Sequence, residues 1–194
     1  MLFDVFSFNI IGSVILTGIT IKLIDDYLDN DKTIFSKIIE NMGKGILPYS
    51  IIIFSISCLL NLEISVSLLS SAYIVGMISD FNRNLTFNLK GYEESILIFI
   101  IVTIFLGFNE MVSSLIIIFI TQLIDDIIDI NKDKYYNNKN LALQLGLVES
   151  ILISVILILI TLKIDALKVV ICLIIFLLIE FLEYSIKWED KKWI

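Results

Sequence analysis

Two acidic segments, Ile24-Asp25-Asp26-Tyr27-Leu28-Asp29 and Ile124-Asp125-Asp126-Ile127-Ile128-Asp129, hold the residues best suited to chemistry. Both read I-D-D-x-x-D, both follow a long apolar run, and they start one hundred residues apart. Carboxylates at the end of an apolar helix are costly without a counter-charge, so a pair of such clusters asks for one. Mg²⁺ meets that demand, because it takes oxygen ligands and shares them with phosphate. On a helix Asp126, Asp129 and Asp133 fall at i, i+3 and i+7, and Asp26 and Asp29 repeat the start of that pattern. Asp25 and Asp125 are auxiliary ligands or hydrogen-bond acceptors in this reading. Two facing clusters of this kind suit the departure of pyrophosphate from a phosphorylated lipid, with charge on the leaving oxygen stabilised by metal. Arg83, Lys90, Lys134 and Lys139 are the basic residues placed to contact the phosphates.

Composition narrows the chemistry further. The chain has 194 residues, is 58% hydrophobic, carries a net charge of −7, and contains one proline and no histidine. Histidine-based general bases and metal sites are therefore excluded, and oxygen-ligated metals are favoured. Cys58 and Cys172 lie far apart inside apolar runs and read as packing residues. No basic n-region or small-residue cleavage site marks the start as a signal peptide.

Apolar run length predicts an all-α polytopic transmembrane bundle with about seven spans, over 7–28, 45–61, 64–79, 94–108, 111–129, 143–162 and 167–186. The fourth is short, so six stays open. The whole chain, 1–194, reads as one transmembrane domain whose halves, 1–110 and 111–194, each carry one acidic motif. Seven spans place Lys32, Lys37, Lys44, Arg83, Lys90, Lys132, Lys134, Lys139, Lys187, Lys191 and Lys192 on one side, against Lys163 and Lys168 on the other. That bias makes the first side cytoplasmic, together with both motifs and the C-terminus, and leaves the N-terminus external. The motif-bearing helices then run parallel. Ile34, Phe35, Ile38 and Ile39 predict a short amphipathic helix in the loop after the first motif. Gly12, Ser13, Thr17 and Gly18 predict close helix packing in the first span. Asn109, Glu110 and Asp165, near external helix ends, read as solvated, and Glu149 as a candidate pocket residue.

The run from Asp126 through Asp129 and Asp133-Lys134, followed by Lys139-Asn140-Leu141-Ala142-Leu143-Gln144-Leu145-Gly146, resembles the second aspartate motif of the UbiA superfamily of intramembrane prenyltransferases. Asp25-Asp26-Tyr27-Leu28-Asp29 resembles that family's first motif. The chain departs from the pattern at Asp25, where asparagine is usual, at Thr33, which takes the place of a third acid, and at Asn131-Lys132, where a glycine is usual. Seven spans also fall short of the family's nine. The resemblance implies an Mg²⁺-dependent enzyme that ionises a polyprenyl diphosphate and transfers the prenyl group to an aromatic or lipid acceptor. Asp26, Asp29, Asp126 and Asp129 would be its catalytic residues, and Asp25, Asp125 and Asp133 further metal ligands.

Three other readings stay open. One is a terpene cyclase of the same superfamily, and another a non-catalytic lipid-binding protein. The third, from a different class, is a divalent-cation transporter, although its acids would then cluster at one face only. Nucleic acid is not an expected partner. The expected partners are membrane lipids, the diphosphate substrate and its acceptor, with a homo-oligomer left open.

Overall fold

Punctuation by asparagine, glycine and aspartate sets the helix order. A computed structural model describes residues 2–29, 43–80, 89–130 and 140–191, and of these all side chains except 2–7, 26, 29, 44, 79, 80, 180 and 182–191. Within it lie seven α-helices: α1 Leu2–Asp29, α2 Ile46–Leu60, α3 Leu62–Gly76, α4 Gly91–Leu106, α5 Phe108–Ile128, α6 Leu141–Leu145 and α7 Leu147–Lys191. Short 3-10 turns, Gly43–Gly45 and Met77–Asp80, precede α2 and follow α3. The fold is all-α, as expected. The amphipathic segment expected after α1 lies outside the described residues.

Each break has a local cause. Asn61 is extended; its N–H donates to the Ser57 carbonyl, and its Oδ1 accepts from the Ile64 N–H at 3.1 Å. One side chain thus caps α3 while its own backbone closes α2, which makes the tight hairpin. Gly107 separates α4 from α5 at φ +97°, a conformation that suits only a residue without a β-carbon. Gly146 does the same between α6 and α7 at φ +104°. The sixth predicted span therefore begins one short helix later than its apolar run. Asp165, at φ −151° and ψ 88°, interrupts α7, and its Oδ1 accepts from the Lys168 N–H at 3.0 Å. It is an N-cap for the second half of α7, which corrects its reading as merely solvated.

The chain forms two compact units, Met1–Val66 with Ile171–Ile194, and Ser67–Val170. In the first, α1 packs along α2 through small and hydroxylated residues. Ser57 Oγ donates to the Ser13 carbonyl at 2.8 Å and lies 2.7 Å from Thr17 Oγ1 and 2.6 Å from Ser65 Oγ. All four residues are fully buried. A β-carbon on Gly12 would stand 2.9 Å from Leu60 Cδ1, and one on Gly18 would stand 3.3 Å from Ile179 Cδ1. Close packing at these positions agrees with their spacing in the sequence.

In the second unit α5 is the central helix. Met111, Ile117, Ile120 and Leu123 are almost wholly buried at helical spacing. Tyr73 Oη ties α3 to α4 by donating to Glu94 Oε2 at 2.6 Å.

Across the described residues, many small hydroxylated side chains are buried while many large apolar ones are exposed. Ser13, Thr17, Ser57, Ser65, Ser67, Ser71, Ser114, Ser150 and Thr161 are at 0% exposure, while Leu59 is 87%, Phe105 81% and Ile104 75% exposed. Many of the buried hydroxyls return their proton to a carbonyl one turn back, as Thr20 does to Leu16, Ser95 to Gly91 and Ser154 to Ser150. Two helices, α1 over Phe8–Asp25 and α5 over Phe108–Ile128, are long and apolar enough to cross a membrane.

Candidate functional site

The second acidic motif occupies the last turn of α5. Asp126 is buried, at 8% exposure, and several of the described residues bond to it. The Leu141 N–H donates to its Oδ2 at 2.8 Å, Gln122 Nε2 lies 3.5 Å from its Oδ1, and Asn140 Nδ2 donates to its backbone carbonyl at 2.8 Å. Asn140, itself 2% exposed, uses its Oδ1 to accept the Leu143 N–H at 2.9 Å. One amide therefore caps α6 and ties that cap to the end of α5, satisfying carbonyl and N–H groups that helix ends leave open. The Asn140–Gly146 tail expected beside the second motif is held against it by these bonds.

Asp129 sits at the cap of α5, with φ −88° and ψ 6°, and its N–H donates to the Asp125 carbonyl at 2.9 Å. Asp125 and Asp129 are both partly exposed. The helix ends at Ile128, so the i, i+3 relation of Asp126 and Asp129 runs only to its last turn. Asp133, Lys134, Lys139 and Arg83 lie outside the described residues.

The first motif belongs to the other unit. α1 continues as helix through Asp25, Asp26 and Asp29, and the Asp25 side chain is exposed. The side chains of Asp26 and Asp29 are outside the description.

Lys90 is exposed immediately before α4, where Glu93 Oε2 accepts its N–H at 2.8 Å and its Nζ stands 5.8 Å from the centre of the Tyr92 ring. Glu149 is exposed, and its carboxylate folds over Gly146, whose constraint is its positive φ.

The donors around the end of α5 are carboxylate and amide oxygens, with no imidazole anywhere in the chain and no cysteine in the motif. That set fits a hard cation such as Mg²⁺ and not a soft one. Among the described residues no three acidic, histidine or cysteine side chains stand together as a ready metal site; the side chains of Asp26 and Asp29, and Asp133, lie outside them.

Sequence reasoning missed two things here. One is the cap at Asn140, which the motif resemblance takes only as part of its tail, although an asparagine just before an apolar helical turn is a cap signal. The other miss is a buried polar cluster at the far end of α5. Lys168 is 1% exposed and lies 2.5 Å from Glu110 Oε1, so Glu110 is the partner of a buried cation and not a solvated end residue. No signal in the sequence singled out this pair, because its members stand 58 residues apart in two different helices. In comparisons with family models, with curated proteins and with solved structures, the chain finds no match.

Proposed function

We propose that this chain is an intramembrane prenyltransferase dependent on Mg²⁺, ionising a polyprenyl diphosphate and passing the prenyl group to an aromatic or lipid acceptor. The observation that carries the reading is the fixed carboxylate end of α5. Asp126 is buried, oriented by the Leu141 N–H and backed by Asn140, while Asp125 and Asp129 remain partly exposed beside it. A binding group held in place before its ligand arrives pays no ordering cost at that moment.

In this reading Asp125, Asp126, Asp129 and Asp133 hold metal at the second motif, and Asp25, Asp26 and Asp29 at the first. Bound Mg²⁺ would neutralise the diphosphate and stabilise charge on the departing oxygen. Lys134, Lys139, Arg83 and Lys90 would contact the phosphate oxygens. The apolar helices would hold the prenyl tail and keep water from the allylic cation until the acceptor reacts.

Membrane embedding rests on the same kind of argument. Helices that expose leucine, isoleucine and phenylalanine and bury serine and threonine match a lipid solvent, in which close small-residue packing and hydroxyl bonds hold helices together. Beyond α1 and α5, the helices α2, α3, α4 and the two halves of α7 would complete a seven-span bundle, with both motifs on the cytoplasmic side. The test is Mg²⁺-dependent release of pyrophosphate from prenyl diphosphates by the purified protein.

A further inference from the structure

Lys168 occupies the third position of the helix that Asp165 caps, where a cation opposes the positive end of the helix dipole. It is also buried, which penalises its charge a second time. Its surroundings compensate for both. Five oxygens surround Nζ: Glu110 Oε1 and Ser114 Oγ at 2.5 Å, Ser113 Oγ at 3.2 Å, the Glu110 carbonyl at 3.3 Å and Ser67 Oγ at 3.5 Å.

The hydroxyls are arranged to present lone pairs inward. Ser67 Oγ donates to Glu110 Oε1 at 3.1 Å, Ser113 Oγ to the Glu110 carbonyl at 3.0 Å, and Ser114 Oγ to Ser67 Oγ at 2.7 Å. With those protons directed elsewhere, each serine faces the ammonium as an acceptor. An ammonium has only three protons to give. Five oxygens are therefore more than it can bond at once, and such a shell is what a spherical cation uses.

The cage also has a fixed place in the unit. Ser67 is the first residue of the Ser67–Val170 unit, and Lys168 lies two residues before its last. Glu110, Ser113 and Ser114 belong to the first two turns of α5. Entry, exit and central helix thus meet at one ammonium. Asp126 lies at the opposite end of α5, about 24 Å away at 1.5 Å per residue.

We propose that Glu110, Ser67, Ser113 and Ser114 form a monovalent-cation site that Lys168 fills as a tethered ligand, closing this unit at the end of α5 remote from the acidic motif. The class of free ligand the site would take is a monovalent cation the size of ammonium or potassium.

The experiment uses the purified full chain and thermal unfolding. Lys168→Ala should lower the unfolding temperature by about 5 °C or more, since it leaves the partly buried Glu110 carboxylate without its cation. Methylammonium chloride, whose cation fits the space vacated by the lysine tip, should restore most of that shift. N-methylglucamine chloride at equal ionic strength should restore none, nor should methylammonium restore anything to Glu110→Gln/Lys168→Ala. An unchanged unfolding temperature in Lys168→Ala, or equal effects of the two salts, would overturn the proposal. If Lys168→Ala does not accumulate, accumulation of Lys168→Met is compared with Glu110→Gln/Lys168→Met, which leaves no lone charge. Better accumulation of the double variant supports the site, and accumulation no better than that of Lys168→Met contradicts it.

Discussion

The Leu141 N–H and Asp126 Oδ2, fifteen residues apart in sequence, are joined by a hydrogen bond of 2.8 Å that fixes a carboxylate at the end of α5. Charge-assisted bonds to backbone amides are among the stronger ones a protein makes. This one draws its direction from the start of α6, which Asn140 caps. The candidate site is thus a helix end and a short capped turn locked together.

Asn140→Ala removes the α6 cap and the bond to the Asp126 carbonyl at once. A stability loss of about 2 kcal/mol is expected from one cap and one buried hydrogen bond. Asn140→Asp keeps an oxygen to cap α6 but turns its other oxygen onto the Asp126 carbonyl and buries a charge there, so it should be at least as destabilising as alanine. Unfolding of the three proteins in detergent against denaturant checks the order.

Ser57 holds α1, α2 and the start of α3 together through Ser13, Thr17 and Ser65. Ser57→Ala should destabilise by about 1–3 kcal/mol, because it leaves buried partners unsatisfied. Ser55, two residues away, is exposed and bonds the carbonyl of Ile51 one turn back on its own helix. Ser55→Ala should lie within about 0.5 kcal/mol of the wild type, as exposed substitutions usually do. Equal losses in the two variants would rule out the interhelical role.

Ile100, on the exposed face of α4, tests the solvent around the bundle. If that face meets lipid, Ile100→Asp should cost about 3 kcal/mol of insertion free energy, near the value for aspartate at a helix centre. The variant should then shift from carbonate-resistant membrane pellets into the soluble or degraded fraction. If the face meets water, the same substitution should leave the protein folded and more soluble.

How much of this was legible in the sequence depends on the range of the interactions. The helices follow from long apolar runs, and their ends from Asn61, Gly107 and Asp165, all of which act within one turn. The packing of α1 was readable from Gly12, Ser13 and Thr17, since small residues on one face have few other uses in so apolar a chain. Gly146 was harder, because its apolar neighbours on both sides masked a break that depends on its positive φ. Asp126 was picked out by type and spacing. Its lock to Asn140 and Leu141 was not, because that contact closes a loop and periodicity has no bearing on it. The Lys168 cage lay further out of reach. Charge counting assigns a lysine at a helix start to the surface, and only the meeting of α3, α5 and α7 reveals five oxygens around it.

The central claim is best tested by pyrophosphate release from geranyl, farnesyl and geranylgeranyl diphosphate, with and without Mg²⁺, by the wild type, Asp126→Asn and Asp129→Asn. Asp126→Asn keeps an oxygen able to accept the Leu141 N–H, so it removes charge while leaving that contact available. The account predicts release that requires Mg²⁺ and falls by at least about a hundredfold in each variant, the scale on which loss of a charge-stabilising group acts. An organic product that contains the acceptor identifies a transferase, and one that lacks it a cyclase. No release from any chain length with folded wild-type protein and candidate acceptors present, or release unchanged in both variants, would contradict the account.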